Sequence, residues 1–401
     1  MSPSKTEVQA TPSLIPPLGT TLTQISTTPS RQESYLPTTT PQSHASNLLL
    51  LPNGDLLCAW FGGKQEGIPD ISIYISRLPS LTNTWLPAEK ISNDATRSEQ
   101  NPILFQSPSL RGEVWVLWTS QDGGNQESAI VKKRVSNDGG LTWGADETLF
   151  DEPGTFIRQP IVVVRGGIWV LPVFKCRVQK GERWVGNDDI SCVKASRDQG
   201  ATWIETEVPM SFGCVHMAIL PLRSGMYLAL FRSRWADFVY TSSSEDGIHW
   251  NEPRPTELPN PNAGIGATVL GDGRVVLLYN RSSGKGIKEK REGLYDDITS
   301  ADDTRKNQGS KHGGRVAIWG APRAPLCLAV SDDEGKTWRS RLVEDGDGYC
   351  MTNNSEQKLN RELSYPSIVA DRNGTIHVAY TFWRQTIKYV KLGEDFCDSV
   401  S

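Results

Sequence analysis

The chain has 401 residues, 37% of them apolar, and a net charge of −4. That balance shows no basic stripe for nucleic acid, and no apolar run approaches the roughly 18 residues that cross a bilayer as a helix. Length alone would allow two ordinary domains; an internal repeat argues instead for one closed ring.

Residues 1 to 30 are rich in Ser, Thr and Pro with few large apolar groups, which predicts a flexible N-terminal tail. Residues 31 to 42 then offer an outer strand. Ser43 to Trp60, SHASNLLLLPNGDLLCAW, reads as two apolar runs joined by a turn at Gly54, a hairpin. The phrase returns five times, with turns at Gly112, Gly167, Gly225, Gly273 and Gly374. The six turn glycines stand 58, 55, 58, 48 and 101 residues apart, the period of a four-stranded unit with loops. The fold class that follows is all-β, a six-bladed β-propeller, with blades near 43–98, 99–155, 156–212, 213–258, 259–345 and 360–393.

A second repeat, Ser-x-Asp-x-Gly-x-x-Trp, trails four of the hairpins: Ser136 to Trp143, Ser196 to Trp203, Ser331 to Trp338, and Ser243-Glu245-Gly247-Trp250 with Glu in the Asp place. Ser and Asp can bond a turn's backbone and Trp can plug between sheets, so the box reads as structural rather than as a metal or ligand site. Residues 284 to 322, dense in charge and Gly, explain the 101-residue gap as an insertion in blade five, either a solvated excursion or a lid. The last blade lacks a strand, and the segment 31 to 42 would complete it and close the ring, with 394 to 401 left as a C-terminal tail. Seven cysteines without close C-x-x-C spacing fit buried thiols, and no metal or cofactor is implied. The N-terminus lacks the pattern of a signal peptide, so a cytoplasmic location is the default expectation and leaderless secretion the alternative.

In a propeller the first strand of each blade lines the channel, so counting back from each turn glycine collects the residues of one mouth. These are His44, Asn101 or Pro102, Arg158, His216, Gly264 beside Asn262, and Tyr365. The ends of the second strands add Arg232, Arg234 and Arg384 among others. Arginine forks with aromatic neighbours suit a carboxylate on a polar ring, which points to an acidic carbohydrate.

The boxes, the six hairpins and the Tyr365-Pro-Ser-Ile segment together resemble the sialidase (neuraminidase) superfamily with its Asp-box repeats, over about residues 31 to 393. FGGKQEGIPDISIYISR and TFWRQTIKYVKL look like the sialidase-like proteins of bacteria and fungi. The resemblance implies that Tyr365 is a nucleophile and that Arg232 and Arg323 bind a carboxylate. It also exposes two departures: His44 stands where the family has its first carboxylate-binding Arg, and His216 where it has the Glu that activates the Tyr. The implied general acid lies in FGGKQEGIPD, as Glu66 or Asp70, with a mobile, exposed Glu66 the better candidate. Since a histidine in the first position weakens bidentate carboxylate binding near neutral pH, a uronate stands beside sialic acid as substrate.

Three functions fit: an exo-glycosidase on a terminal acidic sugar, a uronate lyase acting by β-elimination, and a non-catalytic glycan-binding propeller. Oligomeric state is left open.

Overall fold

The computed structural model describes residues 19–25, 30–109, 112–298, 305–309, 314–393 and 395–398. Six antiparallel sheets form the blades of one propeller. Blade one is Gln42–Leu50, Leu56–Gly63, Ser72–Leu78 and Glu89–Lys90; blade four, equally regular, is Cys214–Pro221, Tyr227–Ser233, Phe238–Ser244 and Arg254–Pro259. In blade five the insertion enters between the second strand, Val275–Asn280, and the third, Leu326–Ser331. All six turn glycines sit in the left-handed region, with φ between 74° and 87°, which is what holds glycine at these tight turns.

Ring closure joins the two ends of the chain. Arg31–Tyr35 pairs antiparallel with Thr386–Leu392, and Thr23–Gln24 pairs in turn with Arg31–Tyr35, giving the last sheet five strands. The expected tail over 1–30 is therefore corrected at its end: residues 20 to 24 lie on the ring, where Leu22 N donates to Asn83 O and Trp85 N to Thr20 O. Residues 1–18 lie outside the described residues. The C-terminal tail is corrected likewise, since Asp395–Asp398 is a short helix with Phe396 and Cys397 buried. A charged knot locks the closure, with Lys388 Nζ at 2.9 Å from Glu33 and 2.7 Å from Glu344, and Arg31 donating to Val343 O.

Between blades the filling is apolar, for instance Leu57, Ile73 and Ile75 of blade one against Leu104, Val116 and Trp118 of blade two. The seven cysteines are all buried and unpaired.

Each box is a hydrogen-bonded turn. Ser196 Oγ donates to Asp198 Oδ1 at 2.8 Å and accepts from Gly200 N at 2.7 Å, while Asp198 also takes Thr202 N and Thr202 Oγ1. The fourth box is one residue out of the expected register. Ser244 and Asp246, not Ser243 and Glu245, make the turn, with Gly247 directly after the Asp and His249 Nδ1 in the Thr place. The shorter Asp-Gly spacing hides the match from a fixed pattern.

The Thr202 hydroxyl and amide, with Ser196, hold the Asp198 carboxyl down from 3.8 to about 2. A depressed carboxyl contributes stability that is present above 3.8 and lost as pH falls through about 2. Asp198→Ala should therefore lower the thermal unfolding midpoint at neutral pH, and the gap to wild type should close as the scan moves from about pH 4 toward pH 2.

Candidate functional site

Backbone geometry singles out one level of the ring. Ala45, Asn101, His216, Asn262 and Tyr365, one from each of five blades, have positive φ of 60°, 49°, 56°, 57° and 51°. In four of those blades the pairing of the innermost strand slips at the same place, between His44 and Asn47, Gln100 and Ile103, Val215 and Ala218, and Ser364 and Ser367. In the one blade outside those five, built on Ile168–Lys175, the innermost strand breaks between Ile157 and Val162, where Arg158 and Gln159 lie. A bulge adds a residue and re-aims side chains that simple alternation would turn away. Left-handed non-glycine residues cost about 1–3 kcal/mol each, so their recurrence at one level means the surrounding structure imposes them.

Tyr365 is the centre of this level. Its ring centroid lies 4.2 Å from that of His44 and 5.5 Å from that of His216, and its hydroxyl accepts from Arg232 Nη1 at 2.5 Å. The guanidinium carbons of Arg158, Arg232 and Arg323 lie 5.3, 5.5 and 5.7 Å from the ring centre. All of these groups are buried, Tyr365 to 6% exposure and Arg232 to 1%.

Three carboxylates organise the arginines. Glu362 accepts from Arg323 Nη1 at 2.6 Å and from Arg384 Nε, and the Ser364 hydroxyl adds a third donor. Burial opposes the charge on Glu362, but Arg384 and Arg323 outweigh it and hold the carboxyl well below 4.5. Arg384 also donates to Glu66 Oε2 at 2.6 Å. Asp189 takes Arg234 Nε at 2.9 Å and Trp184 Nε1 at 2.8 Å.

Arg232 and Arg158 have no carboxylate bonded to them among the described residues. Arg232 donates to Asn262 Oδ1 at 2.7 Å and to Tyr365; Arg158 donates to the backbone oxygens of Ser46 and Tyr365. Burial pulls Arg232 down from 12.5 to about 9, with Arg234 and Arg323 adding to the effect, and pulls Arg158 down to about 10. Among the described residues, six buried polar atoms of this level lack a partner: Asn101 Oδ1, Arg158 Nε, His216 Nδ1, Arg232 Nη2, Asn280 Oδ1 and Arg323 Nε. Such atoms are rare in a settled interior, and their convergence marks a place for a ligand.

Both histidines are neutral. Burial lowers His44 well below 6.5, Arg384 adding to it, and lowers His216 likewise with Arg232 beside it. Since a guanidinium only donates, Arg384 Nη2 at 3.3 Å makes His44 Nε2 the acceptor, and the His44 proton sits on Nδ1, facing Thr381 Oγ1 at 2.8 Å. Arg232 Nη1, at 3.5 Å, fixes His216 Nε2 as its lone-pair nitrogen in the same way.

Of the residues expected from the sequence, His44, Arg158, His216, Arg232, Asn262, Arg323, Tyr365 and Arg384 meet at this level, with Arg234 one step outward. Glu66 joins them through Arg384, but it is 4% exposed and held by an ion pair, which corrects the expectation of an exposed, mobile acid. Asp70 is not part of the cluster; it is exposed and accepts from Lys64 N at 2.9 Å, closing its own loop. Arg384 reaches the site from a tight turn, Phe382 to Gln385, in which Trp383 and Arg384 have φ of 55° and 54°. Such turns ordinarily take Asn-Gly.

The inserted segment packs over this level. Trp319 lies with its ring 5.7 Å from the Arg232 and 5.1 Å from the Arg234 guanidinium carbon, and Tyr295 Oη sits among Gln100, Gln121 and Gln126. Leu294, Tyr295 and Trp319 share a buried cluster with Phe174, Trp184 and Val215. A cleft of about 260 Å³ opens beside Trp184 and Tyr295, bordered by Asn125 and Asp296. Glu362, Asp189, Trp184, Tyr295 and Trp319 were not singled out from the sequence. Among the described residues no group of three or more His, Cys, Asp or Glu could hold a metal ion.

A six-bladed propeller with Asp boxes, with a tyrosine amid buried arginines at its centre, defines the class as a BNR-repeat propeller. The family model for the BNR repeat-like domain matches residues 54–378, and the chain belongs to that family. Among solved structures it is similar to the Hadza microbial sialidase Hz136, at 14% identity and a TM-score of 0.65, over 90% of this chain and 67% of that one. It is also similar to the NanB sialidase of Streptococcus pneumoniae, at 11% identity and a TM-score of 0.59, over 90% and 69%. A Trypanosoma rangeli sialidase mutant displaying trans-sialidase activity gives 13% and 0.61, over 93% and 57%. At these identities the likeness is one of fold. A search of curated protein sequences found no match.

Two outcomes follow from the network. Glu362→Gln leaves Arg323 and Arg384 short of their shared anion and should destabilise the fold by about 3–5 kcal/mol in a denaturant titration. Because His44 and His216 are neutral when folded but take protons near 6.5 when unfolded, their contribution is present above 6.5 and lost as pH falls below it. Wild-type stability should drop on acidification from about pH 6.5, and His216→Asn should make that slope shallower.

Proposed function

We propose that this protein cleaves the glycosidic bond of a terminal acidic sugar, a sialic acid or a uronate, with Tyr365 as the reacting group. The convergence of unpartnered donors and two carboxylate-free guanidinium groups on Tyr365 carries the proposal. A substrate carboxylate would take the open Arg232 Nη2 and relieve the buried positive charge, and Arg232 and Arg323 would set its plane. Since Tyr365, His44 and Arg232 are all buried and Trp319 lies against Arg232, Trp319 would have to shift for a sugar to enter.

As an exo-glycosidase, the protein would use Tyr365 Oη to attack the anomeric carbon while the phenolic proton passes to His216 Nε2. Glu66 would protonate the leaving oxygen, and water would then release the sugar from Tyr365. A neutral nucleophile suits an anomeric centre that carries a carboxylate, where a second carboxylate would be repelled. His44, neutral against Arg384, would pack against the Tyr365 ring rather than add a positive charge.

One observation favours a second scheme. Glu66 and Glu362 both already hold arginines, whereas two neutral imidazoles flank Tyr365. In an elimination, Tyr365 or a histidine would remove the proton alpha to a uronate carboxylate held by Arg232, the bond from C4 to the bridging oxygen would break as a C4–C5 double bond forms, and the departing oxygen would take its proton from the Tyr365 hydroxyl or from the newly protonated base.

The test is a panel of 4-methylumbelliferyl glycosides of sialic acid and uronates, run beside ultraviolet detection of unsaturated product from uronate-bearing polysaccharides. The proposal expects turnover in one arm, fluorophore for hydrolysis or absorbance for elimination, reduced at least about 10³-fold in Tyr365→Phe. Silence in both arms with retained glycan binding would replace it with a non-catalytic propeller.

A further inference from the structure

The central channel continues behind Tyr365 into a second cavity of about 70 Å³, room for one or two water-sized bodies. Its walls include Val162 and Ile219, and its polar lining comes from Asn47, Arg158, Gln159 and Ser367. Among the described residues no carboxylate lines it. It lies on the side of Tyr365 away from Trp319, where Arg158 holds the backbone oxygens of Ser46 and Tyr365 through Nη2, at 3.0 and 3.1 Å.

The lining offers donors. Asn47 Oδ1 already accepts from Leu104 N at 2.8 Å and Ser367 Oγ from Leu48 N at 2.8 Å, and the amide hydrogens of Asn47 and the hydroxyl hydrogen of Ser367 are open to donate. Gln159 turns its own amide to Ile265 O. Arg158 is 2% exposed, and its Nε has no partner. A buried guanidinium with no carboxylate bonded to it is costly unless some negative charge accompanies it. The acidic groups nearest in effect are Tyr365 and Cys58, and burial outweighs them.

We propose that this cavity is a binding site for a single monovalent inorganic anion of halide size, held by the Arg158 guanidinium with Asn47 and Ser367. The anion would balance the Arg158 charge without occupying the space in front of Tyr365. Through the bonds from Arg158 to the oxygens of Tyr365 and Ser46, it would steady the left-handed turn that presents the tyrosine. The site stands on the cavity and its donors, whatever reaction Tyr365 performs.

The full chain would be unfolded thermally in gluconate buffer at fixed ionic strength, with bromide, chloride or nitrate replacing gluconate stepwise. The expected result is a saturable rise in midpoint of about 2 °C or more with the small anions, absent in Arg158→Gln. A midpoint indifferent to the identity of the anion would overturn the proposal. Should Arg158→Gln not fold, wild-type crystals soaked in bromide decide the matter: an anomalous peak in the cavity between Arg158, Asn47 and Ser367 supports the site, and a channel holding only water or no density there removes it.

Discussion

Buried positive charge around one tyrosine governs this structure. Five guanidinium groups, those of Arg158, Arg232, Arg234, Arg323 and Arg384, lie at or beside the level of Tyr365, against three carboxylates, Glu66, Glu362 and Asp189. Glu362 is the keystone, since it anchors two arginines from two different blades and sits three residues before Tyr365. A site so short of negative charge is stable only because its members are bonded from several directions at once.

The propeller makes such a concentration feasible. Each blade is stabilised by its own apolar contacts with its neighbours, so the innermost strands can carry bulges and left-handed residues without threatening the ring. The Asp boxes, the turn glycines and the closure of the last blade by Arg31–Tyr35 contribute rigidity at a distance. That rigidity holds Tyr365 and Asn262 in conformations that neither would choose alone.

Hairpin repeats at a regular period, glycine at each turn and a blade missing a strand are local patterns, and so the architecture was legible in the sequence. Counting back from the turn glycines also collected His44, Arg158, His216 and Tyr365, because each blade repeats the same offset. What the count could not reach depends on contacts distant in sequence. Glu362 lies three residues before Tyr365, a spacing that strict alternation would send to the opposite face, and only the bulge at Tyr365 lets both serve one site. Glu66 looked mobile between glycines, yet Arg384, 318 residues away, buries it. The fourth box was misplaced by one residue because Asp246 and Gly247 are adjacent. Trp319 and Tyr295 sat in a stretch whose charge and glycine content read as solvated loop, and their partners lie in blades two, three and four.

The central claim is that the ring around Tyr365 is built to take a carboxylate. Calorimetric titration of the wild-type protein with free N-acetylneuraminic acid and glucuronic acid, each beside its neutral carboxamide, addresses it directly. The account predicts that one of the acids binds at least about tenfold more tightly than its carboxamide, with an affinity that weakens as salt is raised. Equal binding of acid and carboxamide, or a preference for the neutral form, would contradict it.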